Sequence, residues 1–404
     1  MSSVSPRHLK LALFALFFLP GVALASWVTR TPGLRDMLQV SVAEMGMVLF
    51  GMSIGAMTGV LCAGPAISRL GARKVSLAGL VSVVISLLIL GWAAAIGQQY
   101  VAMAGLAIFG LGVGLCEIAV NIEGAALERA TGSHIMHVLH GCFSLGALVG
   151  AMIGFALTAW GVGLSLHLWV MAVVMSPVVW WCIRNLPAAT GLRTAEARAR
   201  LGAASAGRSL LSVVDGRLLM IGLVVLGVAL AEGAATDWLP ILMFDEYGVS
   251  KSTASVFYMA FAGAVTFGRL AGSPVLKLIG RRGVVQGGAG LAAVGMVIVI
   301  WGTTPWIAII GVIAWGLGVS MTFPMAISAA ADGEGDAEQR VKLVAVMGYC
   351  AFLAGPPLLG LLGEALGLRS AMILVLGFAL LAMAAARSLK VPEPHEPLEG
   401  NALS

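Results

Sequence analysis

The sequence predicts an all-α membrane protein of twelve transmembrane helices, arranged as two parallel six-helix repeats, and three observations lead there. Hydrophobic residues make up 59% of the 404-residue chain and charged residues only 11%, against about 25% charged in soluble domains. Twelve apolar runs each approach the ~20 residues that a helix needs to cross a bilayer. The chain also repeats itself: Gly21-Val22-Ala23-Leu24-Ala25 recurs as Gly227-Val228-Ala229-Leu230-Ala231, and Gly110-Leu111-Gly112-Val113 as Gly316-Leu317-Gly318-Val319, both 206 residues on. The turn Gly71-Ala72-Arg73-Lys74 has a counterpart in Gly280-Arg281-Arg282, three residues later than that offset requires. Common order and spacing mark one unit of about two hundred residues used twice. Because loops and strand edges cannot face lipid, runs of this length are helices.

Span 1 (9–29) contains the first GVALA. Arg7 and Lys10 before it and Ala23-Leu24-Ala25 behind it also resemble a secretory signal, but the same pentapeptide in mid-chain argues against cleavage, and the segment stays a helix. Spans 2 (44–66) and 3 (75–96) flank the basic turn. Span 4 (99–121) carries Glu117 and Asn121, four apart and hence on one face, with Glu123 and Glu128 nearer the inner surface. Span 5 (137–160) carries His137, His140 and Ser144 on one face, and Gly146, Gly150 and Gly154 as a small-residue stripe for close packing. Span 6 (164–183) closes an N-terminal bundle, residues 1–183.

The linker, 184–216, is rich in arginine (Arg184, Arg193, Arg198, Arg200, Arg208), with Glu196 and Asp215 opposing, and its Ala-rich centre suits a surface helix. Span 7 (217–237) brings the second GVALA, sets Glu232 level with Ser26 of span 1, and leads to Asp237 and Trp238. By that register Trp27 and Arg30 lie at a comparable depth on span 1. Spans 8 to 12 follow at 252–272, 283–301, 305–328, 341–363 and 369–387, with Gly355-Pro356-Pro357 as a candidate hinge in span 11. They complete a C-terminal bundle, 217–388, ahead of a Pro-containing tail, 389–404, predicted to be disordered.

Six helices per half return the chain to its starting side, which makes the repeats parallel. With both termini inside, twenty of the twenty-four Lys and Arg fall on the inner side, and only Arg30, Arg35, Lys251 and Arg369 on the outer. The net charge of +5 is therefore a topology signal rather than a nucleic-acid footprint. It suits a multi-pass protein of a bacterial inner membrane. The five cysteines fall in apolar stretches without paired spacing, as packing residues do.

Two parallel six-helix repeats, a long inner linker and the segment Gly64-Pro65-Ala66-Ile67-Ser68-Arg69-Leu70-Gly71-Ala72-Arg73-Lys74 resemble the major facilitator superfamily. Its signature in that loop is Gly-x-x-x-Asp-Arg-x-Gly-Arg-Arg; Ser68 stands in the Asp position, while Gly64, Arg69, Gly71 and Arg73 fit. The resemblance implies the family's two-bundle fold and an inner-side latch. Arg69, Gly71, Arg73 and Lys74 would form it against Glu128, with Arg281 and Arg282 in a looser second copy, 272–282. Positive-inside anchoring alone is the plainer reading of the basic residues.

Ionisable residues inside a spanning helix cost about 2.5–3.5 kcal/mol on insertion scales, so each needs a buried partner or water. They are the site candidates: Glu117, Asn121, His140, Ser144, Glu232, Trp27, Arg30, Trp238 and Tyr349 for substrate binding or proton coupling. Tyr258 and Phe323 are further candidate walls. The structural alternative is that the charged groups pair with one another and only hold helices together. His134, His137 and His140 are spaced like ligands, but no carboxylate or Cys stands in a fixed motif beside them, so neither metal nor cofactor is expected.

The sequence has no Walker motif and no Gly-x-Ser-x-Gly elbow, so an ATP-driven pump or a membrane hydrolase lacks its chemistry. The reading is a non-enzymatic secondary transporter, a monomer in the bilayer, taking up a small polar solute of the sugar or organic acid class with protons as coupling ion. Proton-driven efflux of an amphipathic compound is the first alternative. A non-transporting sensor or scaffold on the same fold is the second.

Overall fold

The computed structural model describes residues 5–132, 135–197, 214–332 and 336–389. Their regular structure is helical: α1 Pro6–Val28, α2 Thr31–Leu38, α3 Val42–Leu70, α4 Ala72–Ile96, α5 Gln99–Thr131, α6 Met136–Ala159, α7 Leu164–Arg184, α8 Gly216–Tyr247, α9 Lys251–Trp301, α10 Pro305–Ser320, α11 Thr322–Ala331, α12 Ala337–Leu366 and α13 Leu368–Ala385, with a short 3₁₀ turn Ala386–Leu389. Spans 1 to 6 are α1, α3, α4, α5, α6 and α7. Span 7 is α8, span 10 is α10 with α11, and spans 11 and 12 are α12 and α13.

Spans 8 and 9 run together as α9, which leaves eleven apolar helical segments among the described residues. At ~1.5 Å per residue the 51 residues of α9 would extend about 75 Å, more than twice the ~30 Å hydrocarbon core. Gly280, with φ 68° and ψ 172°, breaks it into two crossings. Gly71, its partner in the repeat, turns the chain between α3 and α4 with φ 84° and ψ 155°. Both conformations lie in the positive-φ region that a Cβ disfavours. Twelve crossings put the two ends of the described chain on one side, called here the terminal side; the opposite side is the distal side.

The repeat is also a repeat of packing. A Cβ on Gly110 of α5 would lie 2.0 Å from the Met52 carbonyl oxygen of α3, and one on Gly316 of α10 2.8 Å from the Phe261 oxygen of α9. Likewise Gly112 faces the Gly79 oxygen of α4, and Gly318 the Gly288 oxygen beyond the kink, each at 2.5 Å from its built Cβ. The pairs 79/288 and 71/280 share the same enlarged offset. The N-cap residues Ser41 of α3 and Ser250 of α9 share it too, so the additional three residues of the second half lie between the second GVALA and the start of α9. Lipid offers no hydrophobic drive for helix association, so backbone-to-backbone approach at glycine supplies the packing energy.

Within the first bundle α1 packs on α6 and α7, and α5 on α3 and α4; in the second, α8 packs on α12 and α13, and α9 on α10. Across the bundles α3 meets α12, α6 meets α9, and α1 and α2 touch α8. Linker residues close over the terminal side of the first bundle: Arg193 N–H donates to Ser68 O at 3.0 Å and Ala72 N–H to Thr190 O at 2.8 Å. The Ala-rich linker centre and the proline-containing tail fall outside the described residues.

Gly110→Ala forces a methyl group into the Met52 carbonyl and is expected to destabilise the protein by about 1–3 kcal/mol, the usual range for overpacking. Gly377→Ala, with nothing within 4 Å of its Cβ, is expected to leave stability unchanged. Thermal unfolding of both variants in detergent, beside the parent, checks the contrast.

Candidate functional site

Where α6 and α9 cross between the bundles, the side chain of Arg269 on α9 is the connecting group. Its Nη1 donates to Ser144 Oγ of α6 at 2.7 Å, its Nη2 to Glu232 Oε1 of α8 at 2.9 Å, and its Nε to the Ser320 carbonyl of α10 at 3.3 Å. The guanidinium and the carboxylate keep side-chain exposures of 22% and 24%, so the pair is half-buried and reachable by solvent. A guanidinium in a low-dielectric bundle requires such acceptors, since it cannot shed its proton.

The remaining polar groups surround this pair. His140, one turn before Ser144 on α6, lies within electrostatic reach of Arg269 and packs edge-on against Phe17 of α1, 5.1 Å between ring centres. Tyr349 of α12 lies within electrostatic reach of Glu117 of α5, so this second cluster also joins the bundles. Glu117 and His140 are exposed, and Asn121 is half-buried with an Oδ1 that has no hydrogen-bond partner among the described residues. Tyr258 of α9 is buried, within reach of the charges of Asp237 and Glu232. His134 and the side chain of His137 lie outside the described residues.

Sequence reasoning missed Arg269 by counting it among the inner-side basic residues. The signal was present, because the residue falls inside the apolar run 252–272 and is an intramembrane charge by the same rule that selected Glu232. Of the aromatic candidates, Trp27 and Trp238 are fully buried, and Trp27 stacks edge-on with Phe109 of α5 in the first bundle at 6.1 Å. Arg30 lies at the distal end, where it is the N-cap residue of α2, away from Arg269. Ser26, level with Glu232 in the repeat, is buried and donates to Val22 O of its own helix.

The distal ends of the bundles are tied together. Arg35 of α2 forms a two-pronged ion pair with Asp245 of α8, and Lys251 of α9 pairs with Asp36 of α2 at 2.5 Å. Glu364 of α12 accepts the Val42 and Ala43 N–H groups at 2.8 and 3.3 Å, capping the first turn of α3 from the other bundle. Ser255 Oγ donates to Thr29 O at 2.9 Å and Ser53 Oγ to Phe352 O at 2.7 Å.

On the terminal side the basic loops are placed unequally. In the second copy Arg281 pairs with Asp332 at the end of α11, whose carbonyl also accepts from Arg217 Nη1 at 2.7 Å. Arg282 is half-buried on the same turn. In the first copy Glu128 accepts the Ile135 and Met136 N–H groups at 2.6 and 2.9 Å, capping α6, and Arg69, Arg73 and Lys74 form no ion pair among the described residues. Gly71 there lies under the linker, a built Cβ coming 3.0 Å from Ala188 O.

The model of the Major Facilitator Superfamily matches residues 10–341. An uncharacterised MFS-type transporter of Yersinia pestis is 30% identical over 380 residues, covering 92% of this chain and 94% of that protein. Among solved structures, the nucleoside transporter NupG superposes with a TM-score of 0.70 at 16% identity, covering 94% of this chain and 98% of that one. A D-xylose-proton symporter gives 0.72 at 13% identity, covering 94% and 97%. At these identities the two structures speak for the fold.

Removing one member of a buried pair strands the other, at a cost of about 3–5 kcal/mol when burial is complete and less here, where a fifth of each side chain is open. Arg269→Gln is expected to lower the melting temperature. Adding Glu232→Gln to it should recover part of that loss. A double-mutant cycle read by thermal unfolding measures the coupling, and additive effects would show the pair to be energetically inert.

Proposed function

The chain belongs to the Major Facilitator Superfamily and is a membrane transporter of it; from this premise we propose that it takes up a small polar organic solute, of the sugar or organic acid class, together with protons. The observation that carries the reading is Arg269, which holds Ser144 of one bundle and Glu232 of the other at the crossing of α6 and α9. An intramembrane cation that touches both moving parts is where solute and proton can compete for one partner.

The chemistry follows from the donors present. A proton on Glu232 cancels its hold on Arg269, and the freed guanidinium then accepts a solute carboxylate in the fork geometry that suits it. Asn121, Tyr349 and Glu117 supply hydrogen-bonding groups to the hydroxyls of such a solute, and His140 stands beside the guanidinium. Release of solute and proton restores the Arg269–Glu232 pair. The observed arrangement, with the pair formed and the distal end tied, corresponds to the state after release. Of the two solute classes the guanidinium favours organic acids; the D-xylose-proton symporter among the fold neighbours keeps sugars in the test.

Membrane orientation completes the reading. The basic residues gather on the terminal side, which we assign to the cytoplasm of a bacterial inner membrane with both termini inside. Rocking of the bundles about the central site then carries the solute from the distal to the terminal side.

Proteoliposomes loaded at neutral pH and diluted into acidic buffer are expected to accumulate the labelled solute that binds, with loss of accumulation on adding a protonophore. In Glu232→Gln, proton-driven accumulation should fall at least about tenfold while solute counterflow persists, because the neutral side chain mimics the protonated state. Accumulation indifferent to the proton gradient would overturn proton coupling. Solute extrusion from right-side-out vesicles would overturn uptake.

A further inference from the structure

A second charged site stands at the distal end, apart from the Arg269 cluster. Between the junction of α1 with α2, the turn from α6 to α7, and the start of α9 there is a cavity of about 260 Å³, bordered by Arg30, Gly33, Gly161, Gly163, Leu164 and Lys251 among others. Built Cβ atoms on Gly33, Gly161 and Gly163 meet nothing within 4 Å, so the three glycines leave it room.

Its walls are positive from several directions. Arg30 is 9% exposed; its Nη2 donates to Val162 O at 2.7 Å, and its buried Nη1 has no partner among the described residues. Burial lowers the Arg30 pKa from its ordinary value, as expected of a cation without a counter-charge. Among the described residues, the titratable group within its electrostatic reach is His167 on α7, which is buried and bears no negative charge. Lys251, from the other bundle, adds a cation partly committed to Asp36.

Two helix N-termini add to this. α2 starts at Thr31 and α7 at Leu164, each without a side-chain cap, and Gly33 and Leu164 of their first turns border the cavity. First-turn N–H groups have no acceptor within their own helix and carry the positive end of the macrodipole. The first intrahelical bonds are Leu34 N–H to Arg30 O and His167 N–H to Gly163 O, which leaves to external acceptors the N–H groups of Thr31 and Gly33 on α2, where Pro32 has none, and those of the first turn of α7.

We infer that this distal cavity binds a small oxyanion, a phosphate, sulfate or carboxylate group, through Arg30 and the first turns of α2 and α7. Its volume is below the ~300–1,000 Å³ of ordinary small-molecule pockets, so it accepts a compact anion or a lipid headgroup and not a large solute. Arg30, Gly33 and Leu164 all belong to the first bundle, so the anion site is complete within it, and Lys251 of the second bundle borders the cavity while paired with Asp36. The site is independent of which solute the central cluster carries.

The test measures thermal unfolding of the full chain in nanodiscs, once in phosphatidylcholine with added inorganic phosphate or sulfate, and once with phosphatidylglycerol replacing part of the lipid. Saturating anion is expected to raise the melting temperature by about 4 °C or more. A rise with the free ion in neutral lipid identifies a soluble anion; a rise only with phosphatidylglycerol identifies a lipid headgroup. Arg30→Gln should abolish either rise. Gly33→Asp is the second variant: an acid in the first turn of α2 favours the helix and places a carboxylate in the cavity, so the protein should stay folded and lose the response. No rise in either lipid, or a rise that both variants retain, overturns the proposal.

Discussion

An arginine inside a helical bundle cannot neutralise itself, and the structure is arranged around that constraint at Arg269. Its guanidinium must find acceptors where lipid and apolar side chains offer none, and it takes them from α6, α8 and α10 together. Two of these belong to the second bundle and one to the first. This cation of the membrane interior therefore sits where the bundles meet, and Glu117 of α5 and Tyr349 of α12 lie within electrostatic reach of each other across the same boundary. Any movement of one bundle against the other changes the surroundings of this cation, because Ser144 lies on the first bundle and Glu232 and Ser320 on the second.

Close glycine packing occurs inside the bundles and also between them, where Gly46 of α3 and Gly360 of α12 meet backbone to backbone, a Cβ built on Gly46 lying 2.7 Å from Pro356 O. Inside, glycines let helix backbones touch, at 110 and 112 on α5 and again at 316 and 318 on α10, where even one methyl group would collide. Such contacts are numerous, non-polar and intolerant of sliding, so each bundle behaves as a unit. Between the bundles, the distal ties are ion pairs and single hydrogen bonds with much of their surface open: Lys251 and Asp36 keep 41% and 40% of their side chains exposed. Exposed pairs of this sort contribute little each.

Two arginines show how much depends on surroundings rather than residue type. Arg269 is matched by a carboxylate and two oxygen acceptors within the protein, whereas Arg30 receives one carbonyl and faces a cavity with two helix N-termini. The first is a charge already satisfied, available only when Glu232 lets go. The second is a charge whose remaining acceptor must come from outside. The first lies where α6 and α9 cross and the second at the distal rim.

Composition and periodicity determined the fold class, the twelve crossings and the twofold repeat, because a bilayer demands apolar helices of fixed length and a duplicated unit keeps its glycines where backbones touch. The same rule about charges in lipid marked Glu117, His140 and Glu232, and applied evenly it would have marked Arg269. Depth along a helix is legible from residue count, but the direction a side chain faces within a bundle is not: Trp27 lies within the predicted depth yet is fully buried against Phe109 of its own bundle. Pairing across the bundles was beyond the sequence as well. Arg269 and Ser144 are 125 residues apart, and only the crossing of α6 and α9 brings them within hydrogen-bond distance, while Glu232, 37 residues before Arg269, meets it through the packing of α8 on α9. The same holds for Arg35 and Asp245, and for α2, a helix too short and polar to register as a span, whose position is set by the partners it meets on the distal side.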